Sequence, residues 1–264
     1  MNTNSNVYTV IYTTIVVVVV AAVLAIVSLK LGPAQQANAK AETLRQMMAA
    51  AKVAGTEELY ASKNADVLSL YAENIESAFT VDLTGAKIAE LGTSKDNIQL
   101  IDNLKPQNKA IAAGEGATLP VYVFKGGVSV VPVYGAGLWG PIWGYIAVES
   151  DGCTVKGAYF DHESETPGLG AKIKDEAWFR EKFEGKKILF SESAPFIIAK
   201  NAEKTGAPNA VDAITGATMT SKGLNAALVT WFAAYAPYFR GAAAAAPAEA
   251  EAEAEVEETT AEEE

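Results

Sequence analysis

A single cysteine, Cys153, and a single histidine, His162, stand among 264 residues. One thiol cannot form an intrachain disulfide, and one thiol with one imidazole cannot build a thiolate or imidazole cage for a metal. Any redox chemistry therefore falls to a bound cofactor. Positive charge is also scarce, with 21 Lys and Arg against 32 Asp and Glu and a formal charge of −11. Nine of the acids, and no Lys or Arg, lie in residues 241–264, so without that stretch the charge is −2. The body is near neutral and lacks the clustered basic surface that nucleic acid binding requires.

Charge is missing altogether from Val7 to Leu29, 23 residues rich in Val, Ile and Leu. As a helix this run covers roughly 35 Å, enough to cross a hydrocarbon core of about 30 Å. A cleaved signal peptide is the alternative, and Ala37-Asn38-Ala39 resembles a small-residue cleavage site. The absent basic n-region, the length of the apolar run and the gap before Ala37 favour a permanent anchor in the lipid bilayer. Lys30, Lys40 and Arg45 all follow the span, and this bias alone would keep the globular part in the cytoplasm.

Residues Ala37 to Ala54 are mostly good helix formers and end at Gly55, where a C-cap glycine is expected. Ser77 to Asp82, Thr118 to Phe124, Val128 to Tyr134, Tyr145 to Glu149 and Thr154 to Phe160 are rich in β-branched and aromatic residues and read as strands. Lys125-Gly126-Gly127 reads as a hairpin turn. A helix is expected from Gly170 to Phe183, with Trp178, Phe179 and Phe183 on its core side. Two short strands are expected near Ile188 and Phe196, then a last helix over Thr220 to Tyr235.

Strands in a run rather than in alternation with helices predict an α+β domain. The expected organisation is a short tail at 1–6, a transmembrane helix at 7–31, a juxtamembrane helical linker at 32–75, one domain of mostly antiparallel strands with a few helices at 76–240, and a tail at 241–264. The tail is mostly Ala and Glu, with Pro247 and no aromatics. It cannot offset its ordering entropy by burial and is expected to be disordered.

Chemistry concentrates in Asp212-Ala213-Ile214-Thr215-Gly216-Ala217-Thr218-Met219-Thr220-Ser221. Gly216 permits a backbone conformation closed to other residues, Ala217 allows close approach, and Thr220 or Ser221 can cap the following helix. Thr218 then sits just before a helix N-terminus, a favourable place for a phosphate. Taken alone, the segment is a hydroxyl-rich N-cap.

The segment resembles the flavinylation motif of the FMN-binding domain family: Asp, two variable positions, Ser or Thr, then Gly-Ala-Thr. The resemblance implies FMN bonded covalently through its phosphate to Thr218 by a dedicated flavin transferase, with Asp212, Thr215, Gly216 and Ala217 as recognition residues. His162-Glu163-Ser164-Glu165-Thr166-Pro167-Gly168-Leu169-Gly170 is similar to an element shared by the C subunit of the sodium-translocating NADH:quinone reductase and its Rnf relative. Tyr134-Gly135-Ala136-Gly137-Leu138-Trp139-Gly140 resembles the Gly-Leu-Trp segment of the sodium-pump protein. By resemblance, Leu138, Trp139, Glu165, Thr166 and Leu169 line the flavin ring. The match runs from about Val7 to Tyr238, and the acidic tail lies outside it.

The family implies an electron-relay component of an NADH:ubiquinone reductase, not catalytic alone. Its implied partners are the B, D, E and F subunits, and its implied place is a bacterial inner membrane with the FMN domain on the periplasmic side. The G subunit of the Rnf complex is the alternative within the family. A Ser or Thr hydrolase has only His162 as a base and no Gly-x-Ser-x-Gly motif. A binding module without cofactor would be colourless. His162 reads as part of the turn before Glu165, and no catalytic or metal-binding residue is expected.

Overall fold

In a computed structural model of the chain, the described residues are 6–190 and 194–261, with side chains up to Gly241. They form two compact units, the first ending at Glu42 and the second beginning at Thr43. The first element, α1 (Asn6–Ala51), contributes residues to both. In the first unit the large apolar side chains, among them Val7, Ile15, Val19, Leu24 and Leu29, are exposed. Among the described helices α1 alone is long and apolar enough to cross a bilayer.

The separate helix expected over Ala37 to Ala54 is instead the end of α1, which continues across Pro33. Nor does Gly55 cap it. Lys52 takes the left-handed conformation, with φ 56°, and two bonds close the end: Val53 N–H to Met48 C=O at 3.0 Å and Lys52 N–H to Ala49 C=O at 3.2 Å. This is a Schellman ending with lysine in the place glycine usually fills.

In the second unit Leu44, Met47 and Met48 at the end of α1 are buried. Arg45 donates to the carbonyls of Leu59 and Ser62 and to the Asn64 side chain, which ties in α2 (Thr56–Ala61) and α3 (Asn64–Asn74). Six antiparallel strands follow: β1 (Ile75–Val81), β2 (Lys87–Glu90), β3 (Leu119–Phe124), β4 (Val128–Ala136), β5 (Pro141–Val148) and β6 (Val155–His162), in the order β2-β1-β3-β4-β5-β6. Five of the six are the expected strands with shifted ends. The unexpected one, β2, is an edge strand with all four residues exposed, so it carries no alternation to detect. The hairpin at Gly126 and Gly127 forms with φ 83° and 72°. Between β2 and β3 lies α4 (Leu104–Ala113).

After β6 the expected single helix over Gly170 to Phe183 is two pieces, α5 (Lys172–Asp175) and α6 (Ala177–Glu181). Glu176 between them is extended, with φ −110° and ψ 110°. The break resets the helical phase so that Ile173, Phe179 and Phe183 all reach the core. Trp178 is 41 % exposed and stays outside that core, against expectation. Near Ile188 the described residues form an isolated bridge, Thr154 to Lys187, in place of the expected strand. The strand near Phe196 is β7 (Ile197–Ala199), paired in parallel with β8 (Ala210–Asp212).

The final helix, α7 (Thr218–Ala261), starts at Thr218 and exceeds its expected span. The expected disorder of 241–264 falls, past Gly241, on side chains outside the described residues. The N-terminal half of α7 lies close against β4, because a Cβ on Gly223 would run into the Ala136 carbonyl and one on Gly135 would meet Ala227. Trp231 donates its indole N–H to the Tyr134 carbonyl at 2.8 Å, and Tyr235 its hydroxyl to the Pro120 carbonyl at 2.7 Å. Below them Phe160, Phe179, Phe183, Phe196, Phe232 and Phe239 form the aromatic part of one core. Burying each such ring contributes roughly 1.5–3 kcal/mol.

Candidate functional site

Three loops meet at the start of α7, and Glu165 joins them. It is 4 % exposed. Its Oε1 accepts the backbone N–H groups of Leu138 at 2.7 Å and Trp139 at 2.9 Å. Its Oε2 accepts the Thr220 hydroxyl at 2.5 Å. The Glu165 N–H in turn donates to His162 Nδ1 at 3.2 Å, which ties His162 into the turn. Burial alone would raise the Glu165 pKa. The Thr220 hydroxyl, the Trp139 and Leu138 amides and the nearby His162 outweigh it, so the carboxyl titrates below its ordinary value.

Glycines make this meeting possible. A Cβ on Gly137 would strike Glu165 Oε1, and one on Gly170 would strike both Glu165 and Thr220. Gly216 has φ 82°, and a Cβ there would also press on Leu169 at 3.0 Å. The Thr166-Pro167-Gly168-Leu169 turn closes with Leu169 N–H on the Thr166 carbonyl at 3.1 Å, and Gly168 has φ 75°. That is a type II turn with Pro and Gly in their usual places.

Outside this polar knot the surface is apolar. Leu138, Leu169 and Met219 are exposed, and Trp139 is 66 % exposed. In a neutral domain whose other large apolar side chains are mostly inside, such a group next to a glycine-lined loop suits a flat, largely apolar ligand.

The hydroxyls at the start of α7 divide into two classes. Thr220 and Ser221 are each 1 % exposed. Neither caps the helix as expected: Thr220 is bound to Glu165, and Ser221 Oγ accepts the Ile214 N–H at 3.1 Å. The Ala217 carbonyl accepts the Ser221 N–H at 2.9 Å, which makes Thr218 the first helical residue. Thr215 and Thr218 are exposed, and neither hydroxyl has a hydrogen bond within the described residues. Both line a pocket of about 370 Å³ together with Gly216, Lys200 and Lys222. Asp212 ends β8 and accepts the Glu203 N–H at 3.0 Å, which fixes the strand leading into the turn. Ala217 is buried beneath it.

The structure thus brings Leu138, Trp139, Glu165 and Leu169 together with Gly216 and the first turn of α7, while Asp212 stands behind the turn. Thr166 is exposed on the adjoining loop. The sequence pattern does not reveal Met219, Lys200 or Lys222, and it suggests the wrong partner for Thr220. No spacing rule connects Thr220 to a carboxylate 55 positions away.

An FMN-binding domain profile matches residues 137–233, which span all three loops and the start of α7. The chain is 32 % identical over 209 residues to the C subunit of the Na(+)-translocating NADH-quinone reductase of Vibrio vulnificus, covering 75 % of this chain and 79 % of that protein. It is 30 % identical over 190 residues to the corresponding protein of Neisseria meningitidis serogroup B, covering 67 % and 73 %. Among solved structures, the C subunit from Parabacteroides distasonis superposes with a TM-score of 0.64 at 32 % identity, covering 78 % of this chain and 94 % of that one. The Shewanella oneidensis NqrC structure gives 0.59 at 27 % identity, with coverage of 77 % and 97 %.

Proposed function

The chain belongs to the NqrC family, the C subunits of the Na(+)-translocating NADH-quinone reductase, and from that premise we propose that it relays electrons through FMN esterified by its phosphate to Thr218. It is an electron-transfer flavoprotein component of an oxidoreductase complex. One observation carries the attachment point: of Thr218, Thr220 and Ser221, only Thr218 presents a free, exposed hydroxyl to a pocket beside the apolar patch. Thr215 shares that exposure, and the Gly-Ala-Thr resemblance selects Thr218 over it.

When bound, FMN supplies reversible electron uptake and release at its ring system. The chain's own part is to hold and to orient. Leu138, Trp139 and Leu169, with Met219 beside them, offer an apolar wall that withholds water from one side of the ring. Thr166 stands at its margin. Glu165 acts through its grip on the Leu138 and Trp139 amides and on Thr220, and so fixes the wall relative to Thr218. Asp212, Thr215, Gly216 and Ala217 give the turn the shape that a dedicated flavin transferase recognises. An ester bond allows the ring to stay open to partners without being lost, which a relay requires.

The exposed apolar part of α1 up to Leu31 is read as a single-pass anchor in the inner membrane, since water would oppose such a surface and lipid would accept it. The domain is read as periplasmic, in a complex with the B, D, E and F subunits. Protease added to intact spheroplasts should cleave the domain, and protection would reverse the orientation.

The ester itself is tested by co-expressing the chain with a flavin transferase and measuring intact mass and in-gel fluorescence after denaturation. Wild type should carry one FMN, and Thr218→Ala, which keeps the exposed Thr215 hydroxyl, none. A fluorescent Thr218→Ala band at wild-type intensity would sink the assignment.

A further inference from the structure

The pocket beside Thr218 is flanked by two lysines from different elements. Lys200 follows β7, and Lys222 lies on α7. Neither makes an ion pair among the described residues, whereas Lys174, Lys182 and Lys187 each hold a carboxylate. Lys222 is four positions after Thr218, one helical turn on and on the same face. Helical side chains lean toward the N-terminus, so an ammonium at that position covers the surface over the residue one turn earlier. The first turn of α7 contains no acidic residue. Two ammonium groups with no carboxylate partner among the described residues, beside the positive end of a long helix, leave a local excess of positive charge around the Thr215 and Thr218 hydroxyls.

We propose that Lys200 and Lys222 clamp the phosphodiester on Thr218 from two sides. The inference rests on the ester reading above and assigns the charge that holds it. A phosphodiester carries one negative charge. Lys200 and Lys222 meet it as point charges on flexible stems, which hold the anion without dictating its torsions. The apolar wall around Leu169 fixes the ring, and the lysines fix the tether.

The full chain and its Lys200→Gln/Lys222→Gln variant are incubated with purified flavin transferase and its flavin donor, at low and at high salt. Attachment is followed by intact mass. The wild-type rate should fall with salt, and the double variant should be about tenfold slower at low salt with little salt response. Lys200→Arg/Lys222→Arg should restore the rate, which separates lost charge from misfolding. Phosphorus NMR of the attached group gives a second reading. The wild-type resonance should move as salt is titrated in at fixed pH, and that of the double variant should stay put. A double variant labelled at the wild-type rate, or slowed with an unchanged phosphorus titration, overturns the clamp while leaving the ester in place. A wild-type chain that takes no flavin at all removes both.

Discussion

Glu165 shows how one side chain can organise a site without facing its ligand. Its carboxylate takes two backbone amides and one hydroxyl from separate elements. Removing a buried acceptor leaves its donors unsatisfied, at about 1–3 kcal/mol for each group. Glu165→Ala should therefore lower unfolding stability by about 2–4 kcal/mol in urea titration, and Glu165→Gln by less. Because the folded-state pKa is depressed, the carboxylate's contribution is complete above its ordinary value and disappears as pH falls through the lower folded-state value. The stability gap between wild type and Glu165→Gln should be widest near neutrality and close on acidification below about pH 4. A gap that widened toward acid would contradict this sign. At this scale the sequence was partly legible. Gly216 and the Pro167-Gly168 turn announce their backbone conformations because few residues adopt them. The partnership of Glu165 with Thr220 depends on tertiary contact and leaves no local trace.

At the scale of elements, α7 matters through its closeness to β4. A methyl group at position 223 would meet the Ala136 carbonyl, a backbone atom that cannot rotate away. Gly223→Ala should push the helix off the strand, cost about 1–3 kcal/mol, and speed hydrogen exchange in residues 218–224 more than in β3. A second junction lies at Asp161 on β6. Its carboxylate accepts Gln46 at 2.8 Å, Lys174 at 2.9 Å and the His162 amide at 2.7 Å. Gln46 Oε1 also accepts the Trp143 indole at 3.3 Å. Asp161→Ala should destabilise the domain by about 2–4 kcal/mol, and the Trp143 environment should change in near-ultraviolet circular dichroism. Five strands were readable from β-branched runs, whereas β2 has no buried face and α5 and α6 are split by one extended residue, Glu176. Neither feature has a periodic signature. Lys52 likewise hides the end of α1, since lysine gives no sign of a left-handed conformation.

At the scale of the molecule, the second unit has its own core, whose buried residues run from Leu44, just after its start, to Phe239 on α7. A chain beginning at Thr43 should remain soluble without detergent and unfold in one transition at a midpoint close to that of the full chain in detergent. Two separated transitions, or aggregation, would show that the unit needs the preceding residues. The apolar run was the most legible feature of all, because length and absence of charge are properties of sequence alone.

The division of hydroxyls at the start of α7 has a chemical consequence. Thr218 and Thr220 carry the same functional group two residues apart, yet the helix turns them to opposite sides, one to solvent and one to a carboxylate. In synthetic terms the fold behaves as a protecting group: regiochemistry is set by which alcohol the helical phase leaves unmasked. An electrophile with no recognition of its own should already react at position 218 in preference to 220 and 221, and unfolding should erase that preference.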